Sequence, residues 1–260
     1  MTEQEKPFVL NETEDFAVVY KPPRMHSVPL KNSGGDTLLE WYAQVFPPVM
    51  ELSNREGGML HRLDFETQGL VLFAKNQQSL DYLLTLQNEG NFIKEYSAIC
   101  RKNSALPSSF PPLPSGFPLA EFSGQTEYVI ESFFRPFGPG RKQVRPVTDA
   151  CGEGQKKTHK EIASNKVAKD QGGYYRTEIV NATGNGYYTF TVRLKRGFRH
   201  QIRCHLAWIG CPVVNDPLYG QQPASGFLAL RSYGLIFTDP RGGKPREYRI
   251  EPLEMPSNPM

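Results

Sequence analysis

H-R-L-D-F-E-T-Q-G-L, residues 61–70, sets one carboxylate, Asp64, two positions after Arg62 and just before a glycine-containing turn into an apolar run. An aspartate so placed can act as a nucleophile, pair with a cation or cap a turn. An adjacent cation lowers an aspartate pKa by ~1–3 units, which suits a carboxylate kept charged for attack. Glu66 stands at i+2, on the same side as Asp64 if the segment is extended. Two carboxylates ~6–7 Å apart approach the spacing used by inverting glycosidases, so a glycoside hydrolase is a second reading. No tryptophan-rich sugar platform accompanies it, since Trp41 and Trp208 both fall in expected helices.

Outward from this stretch the chain alternates strands with a few helices. Residues 16–20 (F-A-V-V-Y) form a strand stopped at Pro22-Pro23, and residues 70–75 (L-V-L-F-A-K) a buried strand. Asp36 is the expected N-cap of a helix reaching Phe46, and Asn76 that of a helix ending near Gly90. Strands are expected at 94–100, 125–132, 175–180 and 187–194, the last two joined by the Gly-Asn-Gly turn at 184–186. Residues 199–210 have a helical period, and three short strands (227–230, 235–238, 246–250) close the chain. The proline-rich 106–118 and the polar 137–173 read as loop insertions within 105–173. Without a steady βαβ rhythm, this order favours an α+β fold with a mixed, largely antiparallel sheet.

The bulk properties exclude several classes. With 38% hydrophobic and 22% charged residues in 260, the composition is that of an ordinary globular protein, and no apolar run approaches a membrane span. The polar N-terminus reads as neither signal nor transit peptide. Cys100, Cys151, Cys204 and Cys211 are scattered, which suits reduced thiols in the cytoplasm and gives no zinc-type spacing. His200 and His205 are five apart and point ~140° from each other on a helix, so no metal pair is expected there. His61 and His200 read as residues that hold their segments by hydrogen bonds. No phosphate-cradling glycine motif occurs, so no nucleotide cofactor is expected. Between residues 135 and 203, fifteen Lys/Arg face five Asp/Glu, a local excess of ten positive charges in a chain of net charge +3. Such a concentration suits a polyanion, although a solvated basic loop would show the same charge.

The signature at 61–70 resembles H-R-L-D-x-x-T-S-G-L of the RluA-type RNA pseudouridine synthases, with Gln68 in place of the usual serine. Three further stretches are similar to that family and follow its order. Residues 12–26 lead a strand into Lys21-Pro22; K-E-Y-S-A at 94–98 resembles K-x-Y-x-A; and G-F-R-H-Q-I-R-C-H-L at 197–206 precedes G-C-P-V-V-N-D-P-L-Y-G at 210–220. Phe198 replaces a common arginine and Asn215 a common glycine.

The resemblance implies a pseudouridine synthase-like catalytic domain over 8–252, with 1–7 and 253–260 as tails and no N-terminal S4-like domain. It implies a monomer that isomerises uridines of ribosomal or transfer RNA without cofactor or metal. Asp64 would be the catalytic carboxylate, with Arg203 as its ionic partner in place of adjacent Arg62, and Tyr96 would lie against the target uracil and help remove the proton at C5. Arg62 would fill the gap left by the flipped uridine, an extrusion that costs a few kcal/mol. His61, Thr67, Arg199, His200 and Gln201 would complete the RNA contacts, and the basic tract would grip the RNA backbone. The rival readings are a catalytically silent RNA-binding or RNA-folding protein on the same fold and, last, the Asp64/Glu66 glycoside hydrolase.

Overall fold

The computed structural model describes residues 6–30, 36–54, 56–103, 109–113, 122, 127–148, 174–220 and 225–255. The chain divides into two compact units, one formed by 1–97 and 230–253, the other by 98–229 and 254–260. Among the described residues no helix is long and apolar enough to cross a membrane.

In the first unit, β1 (Phe8–Glu12) pairs antiparallel with β2 (Phe16–Lys21), and β2 with β3 (Gln68–Ala74). β9 (Leu230–Thr238) runs parallel to β3 and antiparallel to β10 (Pro245–Arg249); β4 (Ile93–Arg101) lies beside β9. Both β2 and β3 are buried along their whole length, which is why they read as continuous apolar runs and not as alternating ones. The helix α1 (Leu38–Val45) is capped by Thr37, not Asp36. Thr37 Oγ1 accepts from Glu40 N at 3.2 Å and Glu40 Oε2 from Thr37 N at 3.0 Å, a reciprocal box that an aspartate one residue earlier cannot close. The helix α2 (Gln77–Asn88) begins at Asn76 as expected, with Asn76 Oδ1 accepting from Ser79 N. Its Leu80, Leu83 and Leu86 pack with Phe16, Leu72, Phe92 and Phe237 as the core of this unit.

The second unit is built on β5 (Tyr128–Phe137), β6 (Gln143–Val147), β7 (Tyr175–Asn185) and β8 (Tyr187–Leu194), antiparallel neighbours in the order β8-β7-β5-β6. The β7–β8 hairpin turns where expected. Gly184 has φ +116°, and a Cβ there would lie 2.1 Å from Tyr187 O, so no other residue fits. The helix α3 (Gln201–Trp208) is buried at every position and packs Cys204 and Ala207 against Phe134, Val144 and Tyr175.

The architecture is the expected α+β with a largely antiparallel sheet, but several elements differ from the sequence reading. β1 and β6 are additional strands; of the expected 227–230 strand only Leu230 is in a strand, where it begins a continuous β9 that takes in the expected 235–238. β6 lies inside what read as insertion. Within 105–173, residues 105–108, 114–121, 123–126 and 149–173 fall outside the described residues.

Candidate active site

The signature does not form a strand until Gln68. Thr67 N donates to Asp64 O at 3.1 Å, so residues 64–67 make a turn that lifts Asp64 and Phe65 away from β3. The turn is anchored on both sides. Before it, Leu60 N donates to Leu72 O (2.9 Å), and Ser27 Oγ donates to Leu63 O (2.8 Å) while accepting from Leu63 N (3.1 Å). After it, Gly69 adopts φ +124° and sits so close to β9 that a Cβ would meet Ser232 O at 2.2 Å. The glycine of the signature is therefore required by the packing of two parallel strands at one point.

Asp64 is half-buried on this turn, and two ionisable groups of the same unit feel its charge. Burial holds the Tyr96 phenol well above its ordinary value, and the negative charge of Asp64 adds to the rise, so Tyr96 is a neutral ring at pH 7. Lys21 is fully buried at the end of β2, where Nζ donates to Pro22 O (2.9 Å), Met25 O (2.8 Å) and Phe65 O (3.4 Å). Burial pulls its amine down to about 7, opposed by the charges of Asp64 and then Glu66. The sequence offers one clue to Lys21: a lysine ending a strand whose other residues are all interior.

The remaining signature residues have distinct tasks. His61 is buried; its Nε2 accepts from Leu72 N at 3.4 Å, which leaves Nδ1 as the protonated nitrogen of a neutral ring. Desolvation and then Lys94 hold it well below its ordinary value. This is the segment-holding role, and it leaves no exposed donor for RNA. Thr67 is likewise interior. Arg62 is exposed and pairs with Glu56 at 3.1 Å, and Glu66 pairs with Arg24 at 3.6 Å. Gln68 is buried, and its Oε1 accepts from Tyr20 Oη and from Arg231 Nη2, both at 2.9 Å. A serine is too short to reach either donor, which accounts for the departure at this position.

In the second unit the G-F-R-H-Q-I-R-C-H-L segment forms a turn and then α3. Gln201 is buried, accepting from Phe198 N (2.9 Å) and donating to Arg176 O and Thr177 Oγ1 (3.0 Å each), so it holds backbone and presents nothing to a ligand. His200 precedes the helix with φ +56°, and its Nδ1 lies 3.3 Å from Tyr219 Oη. Arg199 is exposed and donates to the carbonyls of Arg141 and Gln143. Arg203 is buried, and its Nε and Nη2 each donate to a different oxygen of Asp216 at 2.7 Å. Asp216 Oδ1 also accepts from Leu218 N and Tyr219 N. The sequence reading quoted Asp216 in its motif without a role; its charge is matched to Arg203.

The other two departures also have structural reasons. Phe198 stacks on Phe134 at 5.1 Å and packs on Tyr175, filling space where an arginine would need a polar partner. Asn215 has φ +60°, the left-handed region where asparagine is the best tolerated substitute for glycine. Its side chain donates to Phe227 O and accepts from Ser225.

Solved structures share this architecture. Human RNA Pseudouridylate Synthase Domain Containing 1 aligns with a TM-score of 0.56 at 18% identity, covering 96% of this chain and 85% of that one. Human RNA Pseudouridylate Synthase Domain Containing 4 aligns at 0.57 with 15% identity, covering 94% and 88%. These likenesses define the fold as that of pseudouridylate synthase domains. Residues 15–208 match the family described as RNA pseudouridylate synthase, and the chain belongs to that family.

Among characterised sequences, the ribosomal large subunit pseudouridine synthase D of Haemophilus ducreyi is 26% identical over 215 residues, covering 83% of this chain. That of Buchnera aphidicola is 27% identical over 209 residues, covering 80%. The chain spans about half of these relatives, 53% of each.

Proposed function

We propose that this chain isomerises uridines in structured RNA to pseudouridine, with Asp64 as the catalytic carboxylate. The observation that carries the reading is the placement of Asp64 on an anchored turn, its charge felt by the neutral, interior Tyr96, in a chain of the pseudouridylate synthase family. The reaction breaks the N-glycosidic bond, turns the base and rejoins it through carbon, with no net redox change and no donor group. A neutral phenol suits a flat surface against the uracil; a phenolate beside Asp64 would add a second negative charge. In this reading Arg203 belongs to the catalytic set, and its two hydrogen bonds to Asp216 set the direction of the guanidinium.

The catalytic domain spans 8–252, the substrate is ribosomal or transfer RNA met in the cytoplasm, and the chain acts as a monomer. Arg62, Arg199 and His200 are the partly or fully exposed members of the RNA-contact set. Transcripts of both RNA classes incubated with wild type and Asp64→Ala, then mapped for pseudouridine, test the reading. Modification by wild type and none by the variant is expected. Equal modification by both would remove Asp64 from the chemistry, and release of free uracil would favour a hydrolase.

A further inference from the structure

We propose that Phe65, backed by His26, is a stacking platform for an unpaired RNA base next to the uridine being modified. The inference deepens the RNA-modifying reading and rests on it for the identity of the ligand.

Phe65 follows Asp64 directly, yet the residue is 40% exposed in a unit whose other signature apolar residues, Leu63 and Leu70, are interior. A partly exposed ring one residue from Asp64 offers a flat apolar face on which a planar partner can stack. The ring is supported by His26, whose centroid is 4.6 Å from that of Phe65 with the planes tilted by 37°. Support of this kind helps hold a ring in place while Phe65 stays exposed to a ligand.

The pair is also held in register with Asp64. Lys21 Nζ bonds at once to Pro22 O and Met25 O, in the loop that carries His26, and to Phe65 O. Ser27 exchanges two hydrogen bonds with the backbone of Leu63, immediately before Asp64. Residues 21–27 and 63–65 are thereby zipped together on both sides of the aromatic pair. A base resting on Phe65 would stand at a fixed offset from the carboxylate.

The surroundings select a nucleic acid over an apolar ligand. Arg24 lies on the same loop as His26, and Arg62 precedes Asp64 by two residues; both are exposed and each touches a carboxylate, Glu66 and Glu56 respectively. Exposed ion pairs of this kind hold weakly, so either guanidinium can exchange its carboxylate for a phosphate. An aromatic face flanked by two exchangeable guanidiniums is the pattern that binds single-stranded nucleotides without reading their base edges.

The test is a cycle between the ring and the base. Hairpin RNAs with randomised loops, and the same stems closed by an abasic loop, are bound to wild type, Phe65→Ala, Phe65→Leu and Phe65→Trp. Stacking predicts that Phe65→Ala weakens binding of the base-bearing hairpins by about tenfold. It also predicts that the abasic hairpins bind both proteins alike, that Trp restores affinity and that Leu does not. Equal loss on both kinds of hairpin, full rescue by Leu, or no loss at all would overturn the platform. The cycle reads binding alone, whereas pseudouridine mapping with wild type reads the isomerase assignment, so the two ideas can fail separately.

Discussion

Gln68 Oε1 and Tyr20 Oη are 2.9 Å apart in the interior of the first unit, and Arg231 Nη2 reaches the same oxygen from β9 at 2.9 Å. One amide oxygen thus joins β2, β3 and β9 just after the Asp64 turn. Gln68→Ser would remove the acceptor that both donors share, with an expected loss of about 1–3 kcal/mol in urea denaturation. Tyr20→Phe alone should cost about 1 kcal/mol or less. Adding Tyr20→Phe to Gln68→Ser should cost less than it does in wild type, because the hydrogen bond between the two side chains is already gone.

Lys21 predicts an alkaline limb in the pH–rate profile. Its ammonium has three N–H groups for three carbonyls; the neutral amine has two. The folded-state value, about 7, lies below the ordinary 10.5, so the protonated form that makes all three bonds is lost as pH rises through about 7. For folding the sign is opposite. The unfolded chain binds the extra proton between about 7 and 10.5, and this residue's contribution to stability rises across that window. Turnover should fall above neutrality with an apparent pKa near 7, and Lys21→Met should be slower at every pH and lack that limb.

His205 predicts acid sensitivity. It is buried between Ser132 Oγ (2.9 Å) and Thr177 Oγ1 (2.8 Å), and desolvation pulls it down to about 3. The unfolded chain protonates near 6.5 and the folded one does not, so stability is complete above 6.5 and is lost as pH falls toward 3. At pH 5 the loss from this one ring is about 2 kcal/mol. Thermal denaturation at pH 7 and pH 5 should show a smaller acid-induced drop in Tm for His205→Gln than for wild type.

The Arg203–Asp216 pair predicts a large effect on folding. Both side chains are interior, and Asp216→Ala would remove both hydrogen bonds that Nε and Nη2 of the buried guanidinium make to it, at an expected cost of about 3–5 kcal/mol. The double variant Arg203→Met/Asp216→Leu should regain a substantial part of that loss in chemical denaturation. A single variant as stable as wild type would show that water reaches the arginine.

Local signals carried most of the elements. The Asn76 cap, the 184–186 turn and the apolar runs of β2 and β3 depend on neighbours a few residues away, so each was readable from the chain alone. The failures were also physical. β1 exposes most of its residues, so it lacks the strong apolar pattern of β2 and β3. The expected strands leave out 231–234, yet Gly234 and Leu235 pair with Arg249 and Tyr248, and Ile250 N donates to Tyr233 O. At α1 the cap is Thr37 and not Asp36, because the box depends on Thr37 and Glu40 together and not on the residue type at one position.

For the site, the sequence alone determined the signature, its aspartate and the membership that the family match bears out. The tertiary structure decided what the neighbours of Asp64 do. Lys21 is 44 residues from Phe65 in the chain, and Gln68 is 163 from Arg231, yet each pair is in hydrogen-bond contact. Separations of that size are bridged only by strand pairing, which no local propensity encodes. The spacing of a motif can therefore nominate a carboxylate, but burial and the closing of the sheet assign its surroundings.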